Sequence, residues 1–235
     1  FSYPFFDDID NDGDLDMLNF QLSTYTIALY KNFSLENKGI CSFAYFTKTN
    51  ECWGEISINF SEAPILGHIC PAFAPPNNQV HFEDIAFILK DLDYDGDKDL
   101  LLSNAEQANI TALYNSSSDE DAVFSRQDTF FPTYNEAVEI YSYPAPFLLD
   151  FDEDGTEDLI VSSLDGVDYM NKNNFHLFLG SEDVDTVRYN FIDNNLLDTK
   201  TLDFGSGSYS SFVCDSRSTG KTSYCGLESY HITFE

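Results

Sequence analysis

Asp8-Ile9-Asp10-Asn11-Asp12-Gly13-Asp14-Leu15-Asp16 recurs twice more in this chain, as Asp91-Leu92-Asp93-Tyr94-Asp95-Gly96-Asp97-Lys98-Asp99 and as Asp150-Phe151-Asp152-Glu153-Asp154-Gly155-Thr156-Glu157-Asp158. The shared pattern is D-x-D-x-D-G-x-x-D, with carboxylates at positions 1, 3, 5 and 9 and glycine at position 6. Like charges crowded this closely repel unless a cation sits among them. Hard oxygen donors on a short loop suit Ca²⁺, and glycine permits the sharp turn that brings both ends of the loop onto one ion. Position 7 is read as a backbone carbonyl ligand, so Asp14, Asp97 and Thr156 need not share a side chain. About three Ca²⁺ sites are expected, one per loop.

An EF-hand would need a bidentate Glu at position 12 and a helix on each side. Position 12 is Asn19, Leu102 or Val161, and short apolar runs flank the loops: Phe5-Phe6, Ile88-Leu89 and Phe147-Leu148-Leu149 before, Leu15 to Leu18, Leu100 to Leu102 and Leu159 to Val161 after. These runs predict two strands joined through each loop, so that the ion staples a β-hairpin.

Aromatic residues make up 16% of the chain and apolar residues 43%. They fall in short runs between Gly, Asn, Asp and Ser clusters, which predicts an all-β protein with a packed core. Eleven basic residues stand against 41 acidic ones, a net charge of −30. That field repels polyanions, so nucleic acid is not an expected partner. No stretch reaches the ~20 apolar residues of a membrane-spanning helix. The first residue is Phe1, which reads as a processed or incomplete chain.

Loops of this kind need more calcium than a resting cytosol offers, which points to an extracellular or cell-surface protein. Five cysteines agree with an oxidising compartment. Cys214 and Cys225 are candidates for a local disulfide, as are Cys41 and Cys52, with Cys70 competing for either of the latter. Asn32, Asn59, Asn109 and Asn115 head N-x-S/T sequons and are candidate glycan acceptors.

A degenerate fourth loop starts at Asp215. It keeps glycine at position 6 (Gly220) but carries Arg217, Thr219 and Ser223 at positions 3, 5 and 9. The loss of three carboxylates should abolish calcium affinity there, and Cys214 with Cys225 flank the loop where a disulfide would replace the ion. Loop starts at 8, 91, 150 and 215, with a further strand downstream of each complete loop (Ile27 to Asn32, Ile110 to Asn115, Phe175 to Gly180), give a period near that of a propeller blade. The expected architecture is a single region over 1–235: a partial β-propeller of about four blades, each a four-stranded antiparallel sheet. The longer first unit is expected to carry an insertion over 36–80.

The D-x-D-x-D-G-x-x-D units between aromatic strands, with Phe204-Gly205 and Gly207, resemble the FG-GAP/VCBS repeats of integrin-alpha-type β-propellers. The order of Asp8 to Leu18, Cys52-Trp53-Gly54, Asp91 to Leu102, Pro144 to Ser162 and Asp203 to Gly205 is similar to that in Bacteroidota surface and secreted repeat proteins. The resemblance covers most of 1–212. It implies a propeller that commonly closes with seven blades, completed by more chain or by partner protomers.

No catalytic constellation stands out. His68, His81, His176 and His231 lack zinc-ligand spacing. Gly205-Ser206-Gly207-Ser208 is not a nucleophile elbow, because Tyr209 occupies the place of the last glycine. The expected function is a non-catalytic, calcium-stabilised structural or adhesive module. It would bind protein or glycan, or self-assemble into a larger particle or filament. The alternatives are a propeller platform for a polysaccharide-processing enzyme and a calcium-dependent receptor.

Overall fold

The computed structural model describes residues 4–39, 45–69, 85–140, 143–163, 175–183 and 186–193 in full, and residues 210–215 and 224–229 as backbone. Within them the chain is all-β apart from one short helix. The first sheet comprises β1 (Phe5–Asp7), β2 (Asp16–Gln21), β3 (Thr26–Asn32) and β4 (Phe46–Trp53), with α1 (Ser34–Lys38) between β3 and β4. A small hairpin of β5 (Ile56–Ser57) and β6 (Ile65–Leu66) follows. The second sheet comprises β7 (Ile85–Lys90), β8 (Asp99–Asn104), β9 (Ile110–Asn115) and β10 (Phe124–Phe131). The third comprises β11 (Pro144–Leu149), β12 (Asp158–Ser163), β13 (Phe175–Asp183) and β14 (Thr186–Asp193). A two-stranded sheet of β15 (Ser210–Asp215) and β16 (Tyr224–Ser229) ends the described chain.

Each four-stranded sheet is an antiparallel meander in chain order, and each acidic loop joins its first strand to its second. The register is the same three times: Asp7 pairs with Asp16, Lys90 with Asp99 and Leu149 with Asp158, the last residue before each loop opposite its ninth position. In the fourth hairpin Cys214 lies opposite Cys225 and Asp215 opposite Tyr224. Two more residues are therefore accommodated in its loop, a shift that preserves which face each residue occupies. The four-stranded sheets expected in each unit are thus found in three of the four among the described residues.

The first sheet also revises the expected insertion over 36–80. Residues 46–53 of that span form β4, its outer strand, which pairs with β3. The extra chain of this unit lies on both sides of β4, with α1 before it and the β5–β6 hairpin after it. Trp53 at the end of β4 is fully buried, donates Nε1–H to the Asp119 carbonyl at 2.7 Å and meets Phe124 edge-on at 5.4 Å.

The three large sheets stack face to face, because alternate residues along a strand point to opposite sides. Leu18, Phe20, Ile27 and Leu29 of the first sheet pack against Phe87, Leu89, Leu100, Leu102 and Leu113 of the second. Leu101, Ile110 and Ala112 on the other side of the second sheet pack against Leu159, Val161 and Phe178 of the third. Covered on both sides, β8 is buried at all its positions, whereas β2 alternates between buried and half-buried. That is why Leu100-Leu101-Leu102 reads as a continuous apolar run and Met17-Leu18-Asn19-Phe20 does not.

Ion pairs cross both junctions at the loops. Lys98 Nζ lies 2.8 Å from Asp7 Oδ2, and Lys90 Nζ lies 2.7 Å from Glu157 Oε2. In each case position 8 of one loop meets the residue just before the preceding loop, with the charges exchanged between the two junctions.

Candidate metal centres

The first loop folds around its own carboxylates. Asp8 Oδ1 accepts the Asp12 N–H at 3.0 Å, Asp8 Oδ2 the Gly13 N–H at 3.0 Å, and Asp12 Oδ1 the Asp14 N–H at 2.9 Å. The third loop repeats this: Asp150 accepts from Asp154 and Gly155, each at 3.0 Å, and Asp154 from Thr156 at 2.8 Å. In the second, Gly96 donates to Asp91 at 3.2 Å and Asp97 to Asp95 at 3.2 Å. The glycine at position 6 has φ +94°, +98° and +96° in the three loops, a left-handed conformation that explains its recurrence. Position 4 is also left-handed, at Asn11, Tyr94 and Glu153. Only Asn11 belongs to a type that tolerates this readily, so the letters at position 4 carried no signal.

The loops bring Asp8, Asp10 and Asp12 together, then Asp91, Asp93 and Asp99, then Asp150, Asp152 and Asp158; within each triplet one oxygen of every residue lies within 4.8 Å of the others. Asp16, Asp95 and Asp154 stand outside these triplets. The donors are all carboxylate oxygens, the set a hard divalent cation takes. Asp12 Oδ2, Asp91 Oδ1, Asp93 Oδ1 and Asp97 Oδ1 are buried with no hydrogen-bond partner. Oxygens left in that state are costly, and an ion would satisfy them. The first two loops therefore fit a cation on their unsatisfied atoms. The third fits on its triplet alone, since Asp152 and Asp154 are exposed.

Position 9 has a role that sequence reasoning missed. Asp16, Asp99 and Asp158 are fully buried. One oxygen of each accepts the N–H of position 2, from Ile9 (3.2 Å), Leu92 (2.9 Å) and Phe151 (2.7 Å). The other accepts an N–H at the third strand, from Asn32 (2.8 Å), Asn115 (2.8 Å) and Gly180 (2.7 Å). The ninth carboxylate thus ties the loop to a strand distant in sequence, besides any share it has in a cation.

Burial pushes Asp16 up to about 6, against the Asn32 N–H that favours its charge. Burial pushes Asp99 up to about 7, against the N–H groups of Leu92 and Asn115, with Asp93 and Asp95 adding repulsion. Asp97 is raised to about 6 by burial and then by Asp95 and Asp119. Protein cations relieve position 3 in two loops: Lys31 Nζ lies 2.6 Å from Asp10 Oδ2, and Arg126 Nη2 lies 3.0 Å from Asp93 Oδ2. The Arg126 guanidinium also sits over the Tyr114 ring at 3.4 Å. Asp152 has no such partner among the described residues.

Cys52 is disulfide-bonded; Cys41 and Cys70, the candidates for its partner, lie outside the described residues, as do His81, His231 and the Phe204 to Gly207 segment. His176 is buried against Phe178 and Phe191, and burial lowers its pKa. Among the sequon asparagines, Asn32 and Asn115 are buried. The Asn32 Oδ1 accepts from Ser34 and Tyr45, and the Asn115 Oδ1 from Ser116, Ser117 and Val123, so both side chains brace the turn into the fourth strand. Asn59 and Asn109 are half-buried, and Asn109 Nδ2 donates to the Thr129 carbonyl.

No helix among the described residues is long and apolar enough to cross a membrane. No protein-family model, no curated protein and no solved structure matches the chain.

Proposed function

We propose that this chain is a non-catalytic, calcium-stabilised module of the β-propeller type, extracellular or at a cell surface, with a structural or adhesive role. One observation carries the reading: the same acidic loop takes the same place, between first and second strands, in three successive stacked sheets, and gathers a carboxylate triplet each time. Stacked four-stranded meanders in chain order are the building plan of a propeller. Phe147 and Phe151 on the third sheet match Phe5 and Ile9 of the first and Ile88 and Leu92 of the second, which pack against the following sheet. On the third sheet these two rings are 45% and 42% exposed, a surface suited to a further blade. The FG-GAP/VCBS resemblance of the loops belongs to the same reading, and proteins or glycans are the partners it implies.

Chelation tests it. Removal of Ca²⁺ with excess EDTA is expected to lower the melting temperature by 10 °C or more, on the order of several kcal/mol for ligands bound to the native state alone. Restoration with millimolar Ca²⁺ but not with equal ionic strength of Na⁺ is expected. An unchanged melting curve would remove the calcium reading, and with it the role.

A further inference from the structure

Asp14, at position 7 of the first loop, is more deeply buried than its counterparts Asp97 and Thr156. Its residue is only 3% exposed. One carboxylate oxygen, Oδ2, accepts the Ser34 hydroxyl at 2.9 Å and the Leu35 N–H at 3.1 Å, which fastens the start of α1 to the loop. The other, Oδ1, is buried and has no hydrogen-bond partner. Position 7 was expected to act through its backbone carbonyl, so a buried, half-satisfied side chain at this point needs its own account.

Two more carboxylates reach the same place. One oxygen each of Asp12, Asp14 and Glu36 lies within 4.8 Å of the others. Asp12 also keeps Oδ2 buried without a partner. The nearby lysines are engaged elsewhere, Lys31 with Asp10 and Glu120, and Lys98 with Asp7. Among the described residues no lysine or arginine is ion-paired with Asp12, Asp14 or Glu36, so three carboxylates face one another without a counter-charge. No equivalent triplet forms at position 7 of the second or third loop among the described residues, where Thr156 offers no carboxylate at all.

We propose that Asp12, Asp14 and Glu36 hold a divalent cation of the Ca²⁺ class of their own, beside the ion of the first loop, with Asp12 serving both. All-oxygen donors on a loop and a five-residue helix suit a large, geometrically tolerant ion better than Mg²⁺, which demands near-ideal octahedral coordination. The ion would satisfy the orphaned Asp14 oxygen and latch α1 to the loop. The inference rests on the calcium reading of the first loop, since it shares Asp12 with it.

The test is a count of bound Ca²⁺ at saturation, by equilibrium dialysis and elemental analysis, on the 235-residue chain and on Glu36→Gln. Glu36 is exposed, so the variant is expected to fold, which a melt in EDTA matching the parent would verify. The expected result is the loss of one equivalent in Glu36→Gln, with no loss in Ser34→Ala, which keeps every carboxylate. Equal stoichiometry in parent and Glu36→Gln, with ions still bound, overturns this site and leaves the three loop sites standing. No binding in either protein overturns both.

Discussion

Two aspartates of the second loop show how similar letters do different work. Asp93 is half-buried, faces Asp91 and Asp99 and is paired with an exposed arginine. Asp99 is fully buried and accepts two backbone N–H groups. On the calcium reading proposed above, Asp93→Ala should abolish one site yet change stability in EDTA by less than ~1 kcal/mol, because an exposed ion pair contributes little. Asp99→Ala should lose the same ion and also leave the Leu92 and Asn115 N–H groups unpaired, a cost of ~2 kcal/mol or more in EDTA, with relief of the buried charge offsetting part of it. Denaturant melts of the two variants with and without calcium separate the roles. Equal destabilisation in EDTA would show that the ninth position does nothing beyond binding.

At the scale of elements, strand ends and turns are set by close approach. Gly54 has φ +83°, and a Cβ there would lie 2.3 Å from the Phe124 ring that packs on Trp53. Gly54→Ala is expected to cost ~2 kcal/mol or more, from left-handed strain and from displacement of a buried ring. Thermal denaturation checks this, and a change within experimental error would mean the β4–β10 junction is soft. The fourth hairpin makes a second prediction. Directly opposite residues on antiparallel strands have Cα atoms ~4.5–5.5 Å apart, within disulfide range. Cys214 and Cys225 occupy such a pair. Peptide mapping under non-reducing conditions is expected to recover them linked; free thiols at both positions would refute the idea that a covalent bond replaces the ion there.

For the whole molecule, the proposed calcium ions would compete with protons for the same carboxylates. Asp99 has a folded pKa of about 7, above its ordinary value of 3.8. The native state therefore binds the proton more tightly than the unfolded chain, and calcium-free stability should fall as pH rises through about 7 and recover as pH falls. Asp16, raised to about 6, adds to this below neutrality. Below the ordinary histidine pKa of about 6.5, buried His176 pulls the other way, since its lowered pKa penalises the folded state as the unfolded imidazole gains a proton. The comparison is best read between pH 8 and 6.5. Melting temperatures in EDTA are expected to increase on acidification over that window. In saturating Ca²⁺ the trend should vanish or reverse, and a calcium-free protein most stable at pH 8 would contradict the assignment.

The loops, their glycine and the hairpins they join were legible in the letters, because a nine-residue turn is decided by nearest neighbours: three carboxylates in alternation and one residue without a Cβ. The apolar flanks announced strands for the same local reason. What the letters did not carry was the partner of the ninth aspartate, a backbone N–H at Asn32, Asn115 or Gly180, since every residue but proline owns that donor and only the path of the chain brings one within reach. Nor did they show that residues 46–53 are a sheet edge rather than an insertion, or that Asp14 turns its side chain to α1 instead of to its own loop. Sequence by itself determined where charge accumulates and where the backbone must bend. The tertiary structure decided which of those charges are buried, and against what, because burial and long-range hydrogen bonding depend on contacts between segments far apart along the chain.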